Sequence, residues 1–334
     1  MKRLNIIGAL PESSFIGGVT IHVQRLLQNL DSRGIQYEFC DYKAIGVPRA
    51  CLFILRHRGC THIHVTNPIL LLVFVICCKL SFSRCIFTLH ANYGRFTDIK
   101  KLFLTVALHL SDVPVLINER TYEVYKKSNR NARYIPAFIP PLTEPPIPDD
   151  VKRIVAMCKE NKRPIVSTNA SKYAVDKDGN DIYGIDFLIN FFSCQPDYTL
   201  LISDPKSAYS HRFPQATDNV VFINQPHSYF ELLKHVDFFV RNTSTDGDAL
   251  SVKEALSLGV PALCSDCVDR PAEVVLFKYS DQLSFKQALE KVRKQEPATH
   301  RVQQTSSVVE ELVSLYRFWQ GPICSRASSD LPQG

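Results

Sequence analysis

The sequence has no apolar run long enough to cross a lipid bilayer. Its longest run, Pro68–Cys78, is much shorter than the about 20 residues that a membrane-spanning helix needs. We therefore expect this segment to be a buried helix or a strand of a parallel sheet. A signal peptide is not expected either, because Met1-Lys2-Arg3 leads directly into a strand-length run, Leu4–Leu10. Both observations favour a cytoplasmic protein.

Cysteine is present, but not in the arrangements that bind metal or form disulfide sets. The 11 cysteines show no ligand spacing, and the one close pair, Cys77-Cys78, lies in the apolar run. An odd total argues against a complete set of disulfides. The histidines do not repeat at fixed offsets from the cysteines. Reduced, mostly buried thiols and no metal site are therefore expected.

Glycine is also scarce, with 13 residues in 334, and the dinucleotide fingerprint GxGxxG is absent. One Gly-Gly pair, Gly17-Gly18, closes a loop between the predicted strand Leu4–Leu10 and a predicted helix, Val19–Leu30. A loop residue without a Cβ lets the backbone come close to a ligand. The pair is a weak signal by itself, and it makes Gly17 and Gly18 candidate binding residues.

The net charge of +6 is unevenly distributed along the chain. Residues 1–150 hold 18 Lys and Arg against 11 Asp and Glu, whereas residues 151–334 hold 21 against 22. A basic first half suits a membrane surface, a lipid pyrophosphate or a nucleic acid, or it is only a solvated surface. No nucleic-acid motif accompanies it, and the aromatic residues do not alternate with the basic ones. We do not expect a nucleic-acid partner.

A chain of 334 residues suits two domains. The clearest linker is the proline-rich segment Pro140–Pro148, because proline this dense fits neither a helix nor a sheet interior. We predict an amino-terminal domain over 1–140, a linker over 141–150, a second domain over 151–320 and a tail over 321–334. The last helix, predicted over Val308–Trp319, is expected to pack back on the first domain.

Strands and helices are predicted to alternate in both halves, which indicates an α/β fold with parallel sheets. The strands predicted after the first are Ile35–Cys40, Cys60–Val65, Arg84–Leu89, Val113–Asn118, Tyr134–Ile139, Pro164–Thr168, Tyr198–Ile202, Val220–Ile223, Val236–Val240 and Pro261–Ser265. Ala50–Arg58 reads as a helix or a strand. Ile99–Leu110 reads as an amphipathic core helix, or as one that lies on a membrane interface.

The most informative stretch runs from Val236 to Val275 and reads as strand, acidic loop, helix and strand. Asp246 lies in the loop, and Glu254 lies inside the helix predicted over Ala249–Leu258. A loop at the carboxyl end of a strand is where open α/β sheets bind ligands, and the following helix directs its N–H groups there. The alternative is that Asp246 caps the helix and Glu254 is solvated.

This stretch resembles the acidic signature of retaining glycosyltransferases of the GT-B architecture, especially family 4. The family pattern is Glu, seven residues, Glu, then Ala, three further residues and Gly-x-Pro. The corresponding residues here are Asp246, Glu254-Ala255-Leu256 and Gly259-Val260-Pro261. Asp246 replaces the first glutamate, and Asp248 stands where family members often have an apolar residue. Asp246 and Asp248 have Asp-x-Asp spacing, but their position before this helix argues against a metal role.

The resemblance implies two Rossmann-like domains facing across a cleft, and a sugar transfer from a nucleotide diphosphate to a hydroxyl with anomeric retention. It implies that Glu254 holds the donor's ribose and that Asp246 contacts the transferred sugar. His90 ends a strand as in the family's Thr-x-His and would face the reacting sugar. Gly17-Gly18 and the backbone at Ala249-Leu250 would contact the donor, and Asp248 would affect which sugar fits. No cofactor or metal is implied.

One part of the family pattern is missing. The two basic residues that hold the donor's pyrophosphate would fall at Asn169-Ala170 and Tyr183-Gly184, and neither position is basic. Lys172, in the loop after the second domain's first strand, and Arg241, at the end of the strand Val236–Val240, are the candidate replacements. Alternatively, Arg241 pairs with Asp246 or Asp248 and orders the loop.

The expected partners are a nucleotide-diphosphate sugar and a glycan or lipid-linked acceptor, with a membrane surface as a further candidate. Bacterial surface polysaccharide assembly, of O-antigen or capsule, is the commonest setting for such enzymes, at the inner face of the membrane. Two other functions stay open. One is a non-catalytic protein that binds sugar nucleotides, which the missing basic pair suggests. The other is a nucleotide-sugar epimerase on the same fold.

Overall fold

The computed structural model describes residues 3–11, 17–91, 96–170, 172–176, 179–246, 249–294 and 305–320, with the side chains of the last helix described over 308–317. These residues form two compact units. The first contains the described residues of 1–9, 29–136 and 307–334, and the second those of 10–28 and 137–306. Each unit holds one six-stranded sheet with parallel pairing throughout.

The sheet of the first unit has the strand order β2-β1-β3-β4-β5-β6. Its strands are β1 (Arg3–Gly8), β2 (Glu38–Asp41), β3 (Gly59–His64), β4 (Arg84–Leu89), β5 (Val113–Leu116) and β6 (Arg133–Tyr134). The helices of this half of the sequence are α1 (Gly18–Ser32), α2 (Tyr42–Ile45), α3 (Val47–Arg56), α4 (Pro68–Leu80), α5 (Asp98–Leu110) and α6 (Glu119–Tyr125). Helix α1 is shared by the two units: its residues up to Gln28 belong to the second unit and those from Asn29 belong to the first.

The inner faces of α3, α4 and α5 share one hydrophobic core, so these helices cover the same side of the first sheet. Helix α4 packs between the other two. It begins as its sequence dictates, because Asn67 caps it through the backbone N–H groups of Ile69 and Leu70, and Pro68 occupies the first turn, where its missing N–H costs nothing.

The prediction that Pro68–Cys78 is buried holds for only one face of α4. Phe74 and Val75 are fully buried, whereas Ile69, Val73 and Ile76 are each about two-fifths exposed. The apolar run is continuous because both faces of the helix are apolar, and only the inner one contacts the sheet. Among the described helices, none combines the length and the apolar character that crossing a membrane requires.

The sheet of the second unit has the order β12-β11-β10-β7-β8-β9. Its strands are β7 (Ile165–Asn169), β8 (Thr199–Ser203), β9 (Val220–Ile223), β10 (Phe238–Arg241), β11 (Ala262–Ser265) and β12 (Val275–Phe277). The helices are α7 (Asp149–Glu160), α8 (Ile185–Ser193), α9 (Tyr229–Leu233), α10 (Leu250–Ser257) and α11 (Gln282–Arg293), followed by α12 (Thr305–Gln320). This is the Rossmann strand order, and its direction of winding reverses between β7 and β10.

One predicted strand is shorter in the structure, one segment with two possible predictions is now assigned, and one strand was not predicted. The strand predicted over Tyr134–Ile139 is confined to Arg133–Tyr134, since Pro136 and Pro140 cannot donate to a sheet ladder. The segment Ala50–Arg58, which reads as helix or strand, belongs to helix α3. Strand β12 was not predicted, because three residues at a sheet edge give too short a pattern. Helix α12 belongs to the first unit, where the Tyr316 hydroxyl lies 2.6 Å from Nδ1 of His62.

Candidate functional site

The candidate site lies in the second unit, where the winding of its sheet reverses. Ligands of open α/β sheets bind at such a point, beyond the carboxyl ends of the two neighbouring strands. Arg241 ends β10 and Asn169 ends the adjacent β7. The two ends are joined, because Nη1 of Arg241 donates a 3.2 Å hydrogen bond to the carbonyl oxygen of Asn169. The sheet topology alone therefore directs attention to Arg241.

Asp246 follows β10 and accepts hydrogen bonds from two arginines. Its Oδ2 lies 3.1 Å from Nε of Arg241 and 3.1 Å from Nη1 of Arg270. Arg270 comes from the loop after β11, and its Nη2 also donates to the Thr243 hydroxyl at 3.2 Å. These side chains are almost entirely buried, with 10% of Asp246, 13% of Arg241 and 3% of Arg270 exposed. We call Arg241, Asp246 and Arg270 the arginine–aspartate cluster.

The cluster carries a net positive charge. Burial by itself raises the pKa of Asp246, but the guanidinium groups of Arg241 and Arg270 outweigh it and hold that pKa below its usual value. Burial likewise disfavours the charged form of Arg241, yet Asp246 raises the pKa of that guanidinium. Asp246 and Arg241 are therefore both ionised at neutral pH, and the cluster has two guanidinium groups against one carboxylate.

Helix α10 begins beside this cluster with its amino end uncapped by a described side chain. Ala249 occupies the capping position, and its side chain has no group that accepts a hydrogen bond. The start of α1 lies against the same place, because a Cβ built on Gly18 would be 4.0 Å from the Leu250 Cβ. Thr20 fixes this start by accepting from the Gly17 N–H at 3.1 Å. The predicted pairs Gly17-Gly18 and Ala249-Leu250 are thus brought together.

Glu254 is buried on α10 and paired with an arginine of α1. Its Oε1 accepts from Nη2 of Arg25 at 2.5 Å, and the same nitrogen donates to Oε1 of Glu144 at 2.7 Å. Glu144 also accepts from the Ser228 hydroxyl at 2.9 Å. Burial raises the pKa of Glu254, and Arg25 offsets part of that rise. The alternative of a solvated Glu254 is wrong, because only 6% of its side chain is exposed.

No protein-family model and no curated protein matches this chain. Among solved structures it is similar to the sucrose-phosphate synthase from Thermosynechococcus elongatus, at 14% identity and a TM-score of 0.69 over 95% of this chain and 99% of that one. It is also similar to HepE from Anabaena in complex with UDP-glucose, at 11% identity and a TM-score of 0.63 over 96% and 95%. A third is WaaG, a glycosyltransferase involved in lipopolysaccharide biosynthesis, at 12% identity and a TM-score of 0.61 over 94% and 99%.

This is the GT-B fold. The two parallel six-stranded sheets and the similarity over almost the whole of each compared chain agree on it. The α/β architecture and the GT-B resemblance predicted from the sequence are confirmed.

Within this fold, Arg241 lies next to both segments where the resemblance leads one to expect a basic residue. One expected position is Asn169, whose carbonyl oxygen Arg241 contacts. The other is Tyr183, and the Arg241 guanidinium lies 5.3 Å from the centre of its ring. Arg241 therefore reaches both positions. The alternative that it pairs with Asp246 is also observed, and one guanidinium makes both sets of contacts.

The amino end of helix α8, next to Tyr183, is occupied by the chain itself. Asp181 accepts from the backbone N–H of Ile185 at 2.8 Å and from the Tyr209 hydroxyl at 2.7 Å. Gly184 precedes the helix with φ +56°, and a Cβ on it would lie 2.3 Å from Nδ2 of Asn242. Only glycine fits there. The capped end of α8 differs from the amino end of α10, which makes α10 the better anion site.

The remaining predicted residues belong to an exposed loop, to the first unit or to the part of the chain outside the described residues. Lys172 is exposed in the loop after β7, with no hydrogen bond or ion pair to a described residue. His90 follows β4 in the first unit, where its Nε2 lies 3.3 Å from Nδ1 of His64. Asp248 and the neighbouring Gly247 fall outside the part of the chain that the structure describes.

Three residues of the site were not found from the sequence. Arg270 follows β11, so a systematic search of the loops after strands would have found it. Arg25 lies among the apolar residues of α1, where a charge is unusual and signals a buried partner. Glu144 lies in the proline-rich segment, and its sequence offers no signal of a contact with either Arg25 or Ser228.

Proposed function

We propose that this protein is a glycosyltransferase that moves a sugar from a nucleotide diphosphate to a hydroxyl group, with retention at the anomeric carbon. One observation carries the proposal: the amino end of α10, which no described side chain caps, lies beside the positively charged arginine–aspartate cluster, at the reversal point of the sheet. When the bond from the sugar to the phosphate oxygen breaks, negative charge develops on the diphosphate. Fixed guanidinium groups and helix N–H groups stabilise such charge.

The residue roles that we propose rest on this geometry together with the family resemblance. Arg241 and Arg270 contact the diphosphate, and Gly17-Gly18 leave space for it beside Leu250. Glu254 accepts hydrogen bonds from the ribose hydroxyls, and Arg25 positions its carboxylate. Asp246 orients the guanidinium groups and contacts the transferred sugar. Lys172 is a further candidate for a phosphate contact, after Arg241 and Arg270. His90 would face the reacting sugar and Asp248 would affect which sugar fits. Both of these roles rest on the family resemblance alone.

The setting that we propose is the assembly of a bacterial surface polysaccharide, an O-antigen or a capsule, on a glycan or lipid-linked acceptor. The similarity to WaaG, and the basic first half of the sequence, support it. HepE was crystallised with UDP-glucose, which makes a uridine nucleotide the first donor to test. With a lipid-linked acceptor, the proposed place of action is the inner face of a membrane, and the proposed reaction uses no metal or other cofactor.

The test is a donor-turnover assay with a panel of nucleotide sugars. We expect release of the nucleoside diphosphate from one donor, and at least a hundredfold slower release by Glu254→Gln in a variant that remains folded. The anomeric configuration of the product, read by NMR, tests retention. An isomerised donor would instead identify an epimerase.

A second candidate function, sugar-nucleotide binding without catalysis, is favoured by a specific observation. Both motif carboxylates are already ion-paired, Asp246 with two arginines and Glu254 with Arg25. The same assay separates the two functions, because this candidate binds a donor in calorimetry and turns none over with any acceptor.

A further inference from the structure

The outer face of α4 is apolar and exposed. Ile69, Val73, Ile76 and Leu80 follow one another at intervals of four, three and four residues, which places them in one stripe. Between 38% and 65% of each residue is exposed. The opposite face of the helix packs into the core of the first unit. An apolar stripe of this length on a surface helix normally has a partner.

Helix α5 repeats the arrangement beside α4. Ile99, Leu102, Val106 and Leu110 are spaced by three, four and four residues and are 38% to 70% exposed. On α3, Leu52 and Leu55 are each about two-fifths exposed. Because these helices cover the same side of the sheet and α4 packs between the other two, their outer faces adjoin. We call this surface, from α3 across α4 to α5, the three-helix face.

Phe82, two residues after α4, adds an aromatic ring at one end of this surface. It is 86% exposed, more than any other large apolar residue in the described chain. Its φ of +55° is a conformation that bulky residues rarely adopt. The guanidinium of Arg58 lies 6.0 Å from the ring. The chain therefore holds a strained phenylalanine in solvent, next to a positive charge.

The charges around the three-helix face are nearly all positive. Residues 42–58, 67–84 and 98–112 contain eight Lys and Arg against two Asp, a net +6 that equals the net charge of the whole chain. One of the two acids, Asp112, already pairs with Lys79 and Arg84. Lys100 and Lys101 lie on α5 beside its apolar stripe, and both are exposed.

We propose that the three-helix face binds the surface of an anionic lipid bilayer. Aliphatic and phenylalanine side chains enter the boundary between headgroups and acyl chains, and lysine and arginine bind the lipid phosphates. Charge decides between this partner and a second copy of the chain. In a dimer formed through this face, the net charge of +6 on one copy would lie against the same charge on the other and repel it. An anionic membrane instead attracts this positive charge.

This proposal deepens the membrane part of the proposed function, but its test needs neither donor nor acceptor. A failure to bind lipid would therefore leave sugar transfer untouched. The full chain is floated with vesicles of phosphatidylcholine alone, or of phosphatidylcholine and phosphatidylglycerol in equal parts. We expect binding to the anionic vesicles only, reduced at least tenfold when the salt rises from about 0.1 M to about 1 M.

Matched variants locate the binding surface. Ile76→Ser with Leu102→Ser is expected to reduce binding at least tenfold, whereas Leu283→Ser, at a 67% exposed position of α11 in the other unit, leaves it unchanged. Lys100→Glu with Lys101→Glu should also reduce vesicle binding at least tenfold. Lys291→Glu with Lys294→Glu, at the carboxyl end of α11, should leave vesicle binding unchanged. Phe82→Ala, outside the helices, tests the face with the least risk to folding.

Two results would overturn the proposal. One is no flotation with anionic vesicles, or equal losses in the three-helix variants and the α11 variants at unchanged melting temperatures. The other is a stable dimer or a complex with an acidic protein that the Ile76 and Leu102 substitutions dissociate, with no lipid binding by the wild type. In that case the face is a protein interface.

Discussion

At the scale of single residues, the account depends on how a few buried charges are compensated. Asp246 lies between Arg241 and Arg270, and its removal would leave two guanidinium groups facing each other in a buried site. Breaking a buried ion pair by removing one partner typically costs about 3–5 kcal/mol. The cost at this position should depend on pH, because the pKa of Asp246 differs between the folded and unfolded chain.

We expect Asp246→Asn to lower the free energy of unfolding by about 3–5 kcal/mol at pH 7. The folded chain holds the pKa of Asp246 below its usual value of 3.8, so the folded state binds this proton more weakly than the unfolded state. The stabilisation is therefore complete above about pH 4 and is lost as the pH falls through the lower, folded pKa. Urea denaturation of the wild type and of Asp246→Asn from pH 7 downwards should show that the difference between their free energies of unfolding becomes smaller. A difference that stays constant would assign the lost stability to packing.

Arg25 is expected to contribute strongly to the stability of the fold, because it pairs with both Glu144 and Glu254. Arg25→Met leaves Glu144 and Glu254 buried without their shared guanidinium, which should cost about 3–5 kcal/mol at pH 7. Burial then raises the pKa of Glu254 without opposition, so the variant should regain stability as the pH falls from 7 to 4.5, the ordinary pKa of glutamate, because the carboxyl takes up a proton. Denaturation at the two pH values measures the recovery. Equal losses at both would show that Arg25 acts through its packing.

At the scale of elements, the turn before α8 illustrates why the two helix starts of the site differ. Gly184 is required by both its φ and its contact with Asn242, whereas Gly179 shares only the positive φ, with nothing within 4 Å of an added Cβ. Gly184→Ala should therefore lower the free energy of unfolding by at least about 2 kcal/mol more than Gly179→Ala. Chemical denaturation of the two variants checks this difference, and equal losses would contradict the close approach of Asn242.

Most elements could be predicted from the sequence because their apolar pattern and their end signals agree. The bounds of β4 were predicted residue for residue, and the start of α4 was predicted at Pro68, where Asn67 and Pro68 give a start signal. Strand β12 and the short helix α2 were missed because three or four residues give no period to recognise. The apolar outer face of α4 was read as buried, because a sequence shows apolarity but not what covers it.

The site was predictable where residues close in sequence share one turn, as Asp246 and the start of α10 do. It was not predictable where residues far apart meet. Arg25 and Glu254 are separated by 229 positions, and Arg270 reaches Asp246 only because β10 and β11 are neighbours. Strand order, not local pattern, decides such contacts. The reversal between β7 and β10 could be known only once the sheet was known.

At the scale of the whole molecule, the GT-B fold and the charge distribution together make a metal-independent reaction the natural expectation. In the proposed site, Arg241, Arg270 and the amino end of α10 would stabilise the negative charge of the diphosphate. Donor turnover should therefore be unchanged in excess EDTA. Loss of turnover in the chelator, restored by magnesium or manganese, would contradict the proposed role of the arginines.

The most direct test of the central claim is a calorimetric comparison of a nucleoside diphosphate with the nucleoside alone, beginning with UDP and uridine. Arg241→Ala and Arg270→Ala should each weaken diphosphate binding at least tenfold, or about 1.4 kcal/mol, and leave nucleoside binding nearly unchanged. Glu254→Gln should weaken both ligands, and Lys172→Ala shows whether that exposed lysine contributes. If the arginine variants weaken both ligands equally, the cluster only orders the loop and the diphosphate binds elsewhere.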